Sequence, residues 1–164
     1  MKLPDRQECD RIFWECSTPK KVVRHCVAVA EYARSIAKKL HAAGFAIDEA
    51  AVFFAGLLHD CKRAEPNHAT AAADYLASKG YAELGKLVAA HHDLPEPVSL
   101  DEAAILYYAD KRMREDQKVT LAERFAGSQE KCRTEEAKAA WRKRQDAALA
   151  VEKLIEAALG TRDF

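Results

Sequence analysis

His59 and Asp60 stand side by side at the end of the apolar run AAVFFAGLLHD, and His25, His68, His91 and Asp110 recur around them along the chain. Imidazole nitrogens and carboxylate oxygens, with no thiolate among them, form a donor set for Mn, Fe, Co, Ni, Zn or Mg, and the histidine content favours the transition metals. Six donors exceed the three or four of a usual catalytic zinc site. They would suit two divalent metals per chain, with Asp60 as the bridge. Two metals about 3.5–4 Å apart can clamp the attacking and leaving oxygens of an in-line phosphoryl transfer. Any one inward histidine has a simpler explanation as a hydrogen-bonded core residue. An inward aspartate is more telling, because an unpaired buried carboxylate is strongly destabilising.

Helical elements must bring these side chains together. His25 lies three residues after Val22 and four before Val29; His59 lies four after Ala55. His68 precedes Ala72 by four, His91 follows Leu87 by four, and Asp110 follows Leu106 by four. Spacings of three, four and seven turn each polar group towards the apolar side of its own helix. Asp60, about 100° round the helix from His59, then belongs at the rim of the same space. His92 follows His91 and is either a further ligand or a rim residue. His41, beside Gly44, is expected in solvent.

The surrounding pattern is all-α, with strand signals nearly absent and no Asn-Gly or Asp-Gly hairpin turn. A short helix is expected over about 5 to 16. Ser17-Thr18-Pro19 should cap a second helix, with Pro at its first position, running to Gly44. Asp48 should cap a third helix, ending at the His-Asp pair, and Asn67 a fourth. A fifth covers about 82 to 92. Ser99 and Glu102 read as a capping box for a sixth, to about 114, and Thr120 and Glu123 as a box for a short seventh. Thr134 opens a long final helix over about 134 to 160, with Trp141, Ala148, Val151, Ile155 and Ala158 along one face. That helix either packs back on the domain or meets a partner at a homodimer contact.

The length, 164 residues, fits a single domain with a full core. A formal net charge of zero argues against a nucleic-acid scaffold or a basic membrane patch as the main partner. No apolar stretch approaches the roughly 18 residues of a membrane span. The N-terminal MKLPDRQECD turns polar at once, unlike a secretory signal. Cys9, Cys16, Cys26, Cys61 and Cys132 form no C-x-x-C pair, so free thiols and a cytoplasmic location are expected. Cys61 reads as a packing residue.

In its order and local contexts (VVRHCVAVAEYA, AGLLHD, PNHATAAADYL, VAAHHD, ILYYADKR) this set resembles the HD superfamily of metal-dependent phosphohydrolases, over roughly residues 18 to 125. The resemblance implies an all-helical bundle of about seven or eight helices. It implies metal ligands at His25, His59, Asp60, His68, His91 and Asp110. Simple nucleotidases of the superfamily hold one metal at the positions of His25, His59, Asp60 and Asp110. Members with extra histidines at the places of His68 and His91 tend to hold two. The chain looks most like small bacterial members, including those similar to diadenosine tetraphosphate hydrolases. It lacks the Gly-Tyr-Pro motif of the cyclic-di-GMP phosphodiesterase branch and the added segments of alarmone synthetase-hydrolases. Many relatives carry Lys three residues after the pair, where this chain has Arg63. Arg grips phosphate bidentately, but its pKa is too high for proton transfer.

The expected activity is therefore hydrolysis of a phosphate ester or anhydride on a small phosphorylated substrate, a nucleotide in the first instance. Metal-activated hydroxide would attack phosphorus, with Asp60 and Arg63 as catalytic groups. Arg63 and Lys111 would bind substrate phosphate; Lys111 reads equally well as a surface or ion-pairing residue. Specificity is expected from segments 62 to 67 and 93 to 99. The alternative is a non-catalytic regulatory domain that senses a nucleotide or metal. A third reading has the histidines satisfied inside the core without metal.

Overall fold

Local capping chemistry sets most of the helix starts in the computed structural model, which describes residues 1–164. Helix α1 (Arg6–Glu15) begins where Asp5 accepts a hydrogen bond from the Glu8 amide. Helix α2 spans Lys20–Ala42, and α3 spans Glu49–Leu58. The Asp48 carboxylate accepts from the amides of Ala50 and Ala51 and so starts α3. Then follow α4 (His68–Ser78), α5 (Ala82–Ala89) and α6 (Glu102–Lys111). Helix α7 (Leu121–Gln129) opens on the full Thr120–Glu123 capping box, and α8 (Glu135–Leu159) opens on Thr134 and closes on Gly160 in the left-handed region. Each cap satisfies amides that the first turn leaves without an intrahelical partner.

Four local expectations are corrected. Pro19 is the N-cap of α2, not its first helical residue, and no side chain caps that helix. The Thr18 hydroxyl instead donates to the Cys61 carbonyl, tying the start of α2 to the segment after the His-Asp pair. The Ser99–Glu102 box does not form. Asp101 caps α6, and the Glu102 carboxylate accepts from the Asp48 amide of the neighbouring helix start. Asn67 occupies the capping position in the left-handed region but makes no capping bond. Finally, the sixth helix ends at Lys111, short of the expected 114. Met113–Arg114 (β1) and Gln117–Lys118 (β2) form a two-stranded antiparallel hairpin. Its turn residue Glu115 has φ 57°, which supplies the left-handed geometry without glycine.

Helix α2 is the spine. It packs against α3 and α6, and α8 lies across α6, α7 and α2. One hydrophobic core joins residues from Cys9 to Phe164, including Ile36, Leu40, Leu58, Ile105 and Ile155. The α2–α3 approach depends on Gly56: a Cβ there would lie 2.8 Å from the Ala30 Cα. Helix α8 packs back on the domain through Ala148, Val151 and Ile155. The hydroxyls of Tyr107 and Tyr108 reach from α6 to the Arg144 carbonyl and the Glu152 carboxylate. All five cysteines are unpaired, and Cys61 is buried. No helix is long and apolar enough to cross a membrane.

Candidate metal centre

The six residues singled out by type and spacing converge. His25 comes from α2, His59 is the C-cap of α3, Asp60 follows it, His68 is the first residue of α4, His91 lies just past α5, and Asp110 sits near the end of α6. The short α5 leaves His91 beyond its last turn, yet that ring is still buried. The Asp60 Oδ1 is 3.2 Å from His68 Nε2 and 3.6 Å from His91 Nε2, while its Oδ2 is 3.8 Å from His59 Nε2. The Asp110 Oδ1 is 3.2 Å from His25 Nε2 and 3.7 Å from His59 Nε2. Asp60 thus faces one histidine set with each oxygen.

Backbone carbonyls aim three of the rings. His25 Nδ1 donates to the Glu115 carbonyl at 2.6 Å, His59 Nδ1 to that of Gly56 at 2.7 Å, and His91 Nδ1 to that of Val88 at 2.6 Å. A carbonyl can only accept, so in the neutral ring the proton is on Nδ1 and Nε2 carries the lone pair. All three Nε2 atoms point to the centre. This is the outer-shell arrangement that fixes the tautomer of a metal-ligating histidine.

Burial opposes ionisation of both carboxylates and is the largest influence on each. At Asp60 it is overcome by His91, His59 and Arg63, and at Asp110 by Lys111, His25 and His59, so both are held ionised below the usual carboxylate range. Burial lowers His68 and His91 and pushes His92 down to about 3. These rings stay neutral and keep their lone pairs. Burial also works against a charged His59, but Cys26, Asp110 and Asp60 carry its pKa well above the ordinary imidazole value. A proton and a cation compete for the same lone pair there.

The donors fit a divalent ion on a further observation. His59 Nε2 and Asp60 Oδ1 are buried with no hydrogen-bond partner. Buried polar atoms are normally satisfied, and two orphans facing one centre are what a cation would satisfy. Three groupings bring donors within ligating reach of each other: His25 with His59 and Asp110; His59 with Asp60 and His91; and His68 with His91 and His92. His92 Nε2 lies 2.8 Å from His68 Nε2, so this histidine stands among the donors and not away at the rim. His41 is exposed and takes no part.

The two cations of the sequence reading are placed differently. Arg63 is half-exposed at the mouth of the site; its Nη1 donates to His68 Nε2 at 2.8 Å and its Nε is 3.7 Å from Asp60 Oδ2. Lys111 is buried, 2.7 Å from Asp110 Oδ2, and donates to the His91 carbonyl at 3.0 Å. Its position is that of an ion-pair partner for a ligand candidate.

A cavity of about 590 Å³ opens on Asp60, His91, His92 and Asp110. The expectation that segments 62 to 67 and 93 to 99 wall the site is corrected. Of these residues only Arg63 lines the cavity; the far wall is residues 124 to 144, from α7 and α8. Residues Asp93, Leu94, Glu96 and Val98 line a separate depression against α8. The reason is the path of the chain. Helix α8 folds back over α6, which brings Trp141 and Arg144 to the site from far along the sequence.

Residues 22–115 match the family described as the HD domain, more than half of the chain. The chain belongs to the HD domain family. HD domains bind divalent metals and form a superfamily of metal-dependent phosphohydrolases. This HD domain is 36% identical over 76 residues to an uncharacterized protein of Methanocaldococcus jannaschii, a match that covers 44% of this chain and 45% of the relative. The chain therefore spans less than half the length of that relative. No solved structure gives a significant match.

Proposed function

We propose that this HD domain hydrolyses a phosphate ester or anhydride, with nucleotides as the substrate class, and that it uses two divalent metals. The observation that carries this reading is the pair of orphaned atoms, His59 Nε2 and Asp60 Oδ1, in a donor cluster that borders a cavity lined with Lys and Arg. His25, His59 and Asp110 would hold one ion, and His68, His91 and His92 the other, with Asp60 between them. Bound metals would supply Lewis acidity at the phosphoryl oxygens and lower the pKa of water.

The chain's own groups do the rest. Glu115, Gly56 and Val88 carbonyls keep three imidazoles aimed, each with Nε2 turned to the centre. Lys111 holds Asp110 ionised. Arg63, at the mouth, can exchange its contact with His68 for a phosphate oxygen and balance charge that develops there. It is no proton donor, because guanidinium does not deprotonate.

The test is a panel of nucleotides and dinucleoside polyphosphates, assayed with Mn, Fe, Co and Mg, together with metal content per chain. Turnover that vanishes in Asp60→Ala is the expected result. Equal turnover in that variant would overturn the reading. A regulatory role has one observation in its favour: α8 lines the cavity, so a bound ligand touches the longest helix directly. Tight nucleotide binding with no product under any of these metals would favour that second reading.

A further inference from the structure

The cavity does not end at the metal centre. Its outer wall is built by α7, α8 and the β-hairpin, and most of that wall lies beyond residue 115, outside the stretch that matches the family. Charge distinguishes this wall. The whole chain carries equal numbers of acidic and basic residues, so pairing is available everywhere. Elsewhere along the lining it is used: Lys21 meets Glu115, Lys111 meets Asp110, and Arg144, at the far end of the same wall, meets Asp93. Arg114, Arg124 and Lys131 line the wall with no carboxylate within ion-pair distance.

Arg124 carries the argument. Only three buried side-chain polar atoms in the protein lack a partner; two are His59 Nε2 and Asp60 Oδ1, and the third is Arg124 Nε. A buried N–H without an acceptor destabilises the fold unless something else supplies one. That nitrogen is closed off from the open space, so what Arg124 offers the cavity it lines is the positive charge of a guanidinium with no carboxylate partner.

The surface beside Arg124 is aromatic. Phe125 and Trp141 meet edge to face, with centroids 5.9 Å apart and planes at 82°. The Trp141 N–H already donates to Ser128 Oγ at 3.1 Å and reaches the Phe125 carbonyl at 3.3 Å. What the indole offers to the cavity is its apolar ring surface. Ala137, four residues before Trp141, shares its face of α8, and Ala140 also lines the cavity, so two small side chains beside the indole leave room for a flat group. The volume, about 590 Å³, lies within the usual range for small-molecule sites.

We infer that this wall is a second subsite, in which Trp141 stacks a heterocyclic base and Arg124, assisted by Lys131, holds a phosphate that is not the reacting one. The ligand class is a nucleotide with at least two phosphate groups, one at the metal centre and one at Arg124. This deepens the hydrolase reading and rests on it for which phosphate reacts. The binding claim itself does not depend on turnover.

The test uses binding. The chain has two tryptophans, and Trp14 is exposed on α1, so Trp14→Phe leaves Trp141 as the sole reporter. The purified protein is titrated with α,β-methylene-ADP, with AMP, and with the ring-free methylenediphosphonate, read by fluorescence and calorimetry. The two nucleotides should quench Trp141 and the diphosphonate should not. Arg124→Ala should weaken α,β-methylene-ADP by about tenfold or more, as expected for loss of a charge-assisted hydrogen bond, and should weaken AMP far less. Arg124→Lys should recover part of the loss, which separates a charge effect from misfolding. Equal affinity in Arg124→Ala and the parent overturns the subsite, as does equal weakening for AMP and the diphosphate analogue. So does diphosphonate binding as tightly as the nucleotide. If this pattern holds while no substrate is turned over, the hydrolase reading falls and the subsite stands. If turnover is found but binding ignores both ring and Arg124, the subsite alone falls.

Discussion

On the inner side of the cavity, polar atoms are aimed by backbone. His25, His59 and His91 each give a proton to a carbonyl and turn the other nitrogen inward, and Lys111 closes on Asp110. On the outer side, Arg114, Arg124 and Lys131 have no carboxylate to hold them, and Trp141 lines the open space beside them. The inner side lies within the stretch that matches the HD domain family; most of the outer side lies beyond it. The contrast separates two tasks. A metal centre needs donors fixed to within a fraction of an ångström, which backbone acceptors and tight helix packing provide. Recognition of the rest of a substrate needs charge and surface that stay available until the ligand arrives.

The contrast can be broken most directly at Asp60. Asp60→Asn keeps the shape but removes the charge from both sets of donors. Turnover should fall by at least about a hundredfold, the scale on which a single electrostatic group acts in an active site. Metal content by elemental analysis should fall with it, whereas Arg124→Ala should keep its metal. Metal loss in the Arg124 variant would erase the division between the two sides.

Lys111→Met sharpens the inner half. Metal affinity should drop by about 10–100-fold, as for the loss of an outer-shell partner. The pH dependence should move as well. Lys111 is the foremost of the influences that hold the Asp110 carboxyl below its ordinary range. Asp110 is a competent ligand above its pKa and is lost as one when pH falls through it. Without Lys111 that pKa rises, so metal should dissociate at a higher pH on acidification. A titration of bound metal against pH in both proteins checks the sign.

Gly56→Ala tests whether the inner side tolerates any displacement. The new methyl would press on the Ala30 backbone of α2, and overpacking of this kind typically destabilises by about 1–3 kcal/mol. Because the Gly56 carbonyl also aims His59, urea unfolding and metal affinity should fall together. The smallest effect belongs to the outer side. Thr134→Ala removes the cap of α8 and should lower stability by about 1 kcal/mol, with metal content unchanged.

Much of the inner side was legible because it is written in short-range spacing. The inward turn of His25 and Asp110 follows from helical periodicity, that of Asp60 and His91 from their place just past the ends of α3 and α5, and the caps at Asp48, Thr120 and Thr134 from chemistry within three residues. The misreadings were made where neighbours in space outweigh neighbours in sequence. Glu102 is drawn to the Asp48 amide and not back to Ser99. Thr18 bonds to Cys61 across the fold. The hairpin at 113 to 118 is too short and too charged to show strand alternation, yet its turn supplies the carbonyl that aims His25. His92 could be named from the His-His pair, but its approach to His68 depends on where α5 stops.

The sequence by itself determined an all-helical chain with a histidine and carboxylate set turned inward, because helical spacing and capping act over a few residues and do not need the rest of the fold. The tertiary structure alone decided which atoms of that set are left without partners, what aims each ring, and that residues 124 to 144 wall the cavity. Those outcomes depend on α8 packing across α6 and on a carbonyl 90 residues from His25, and contacts at such separation leave no local pattern to read.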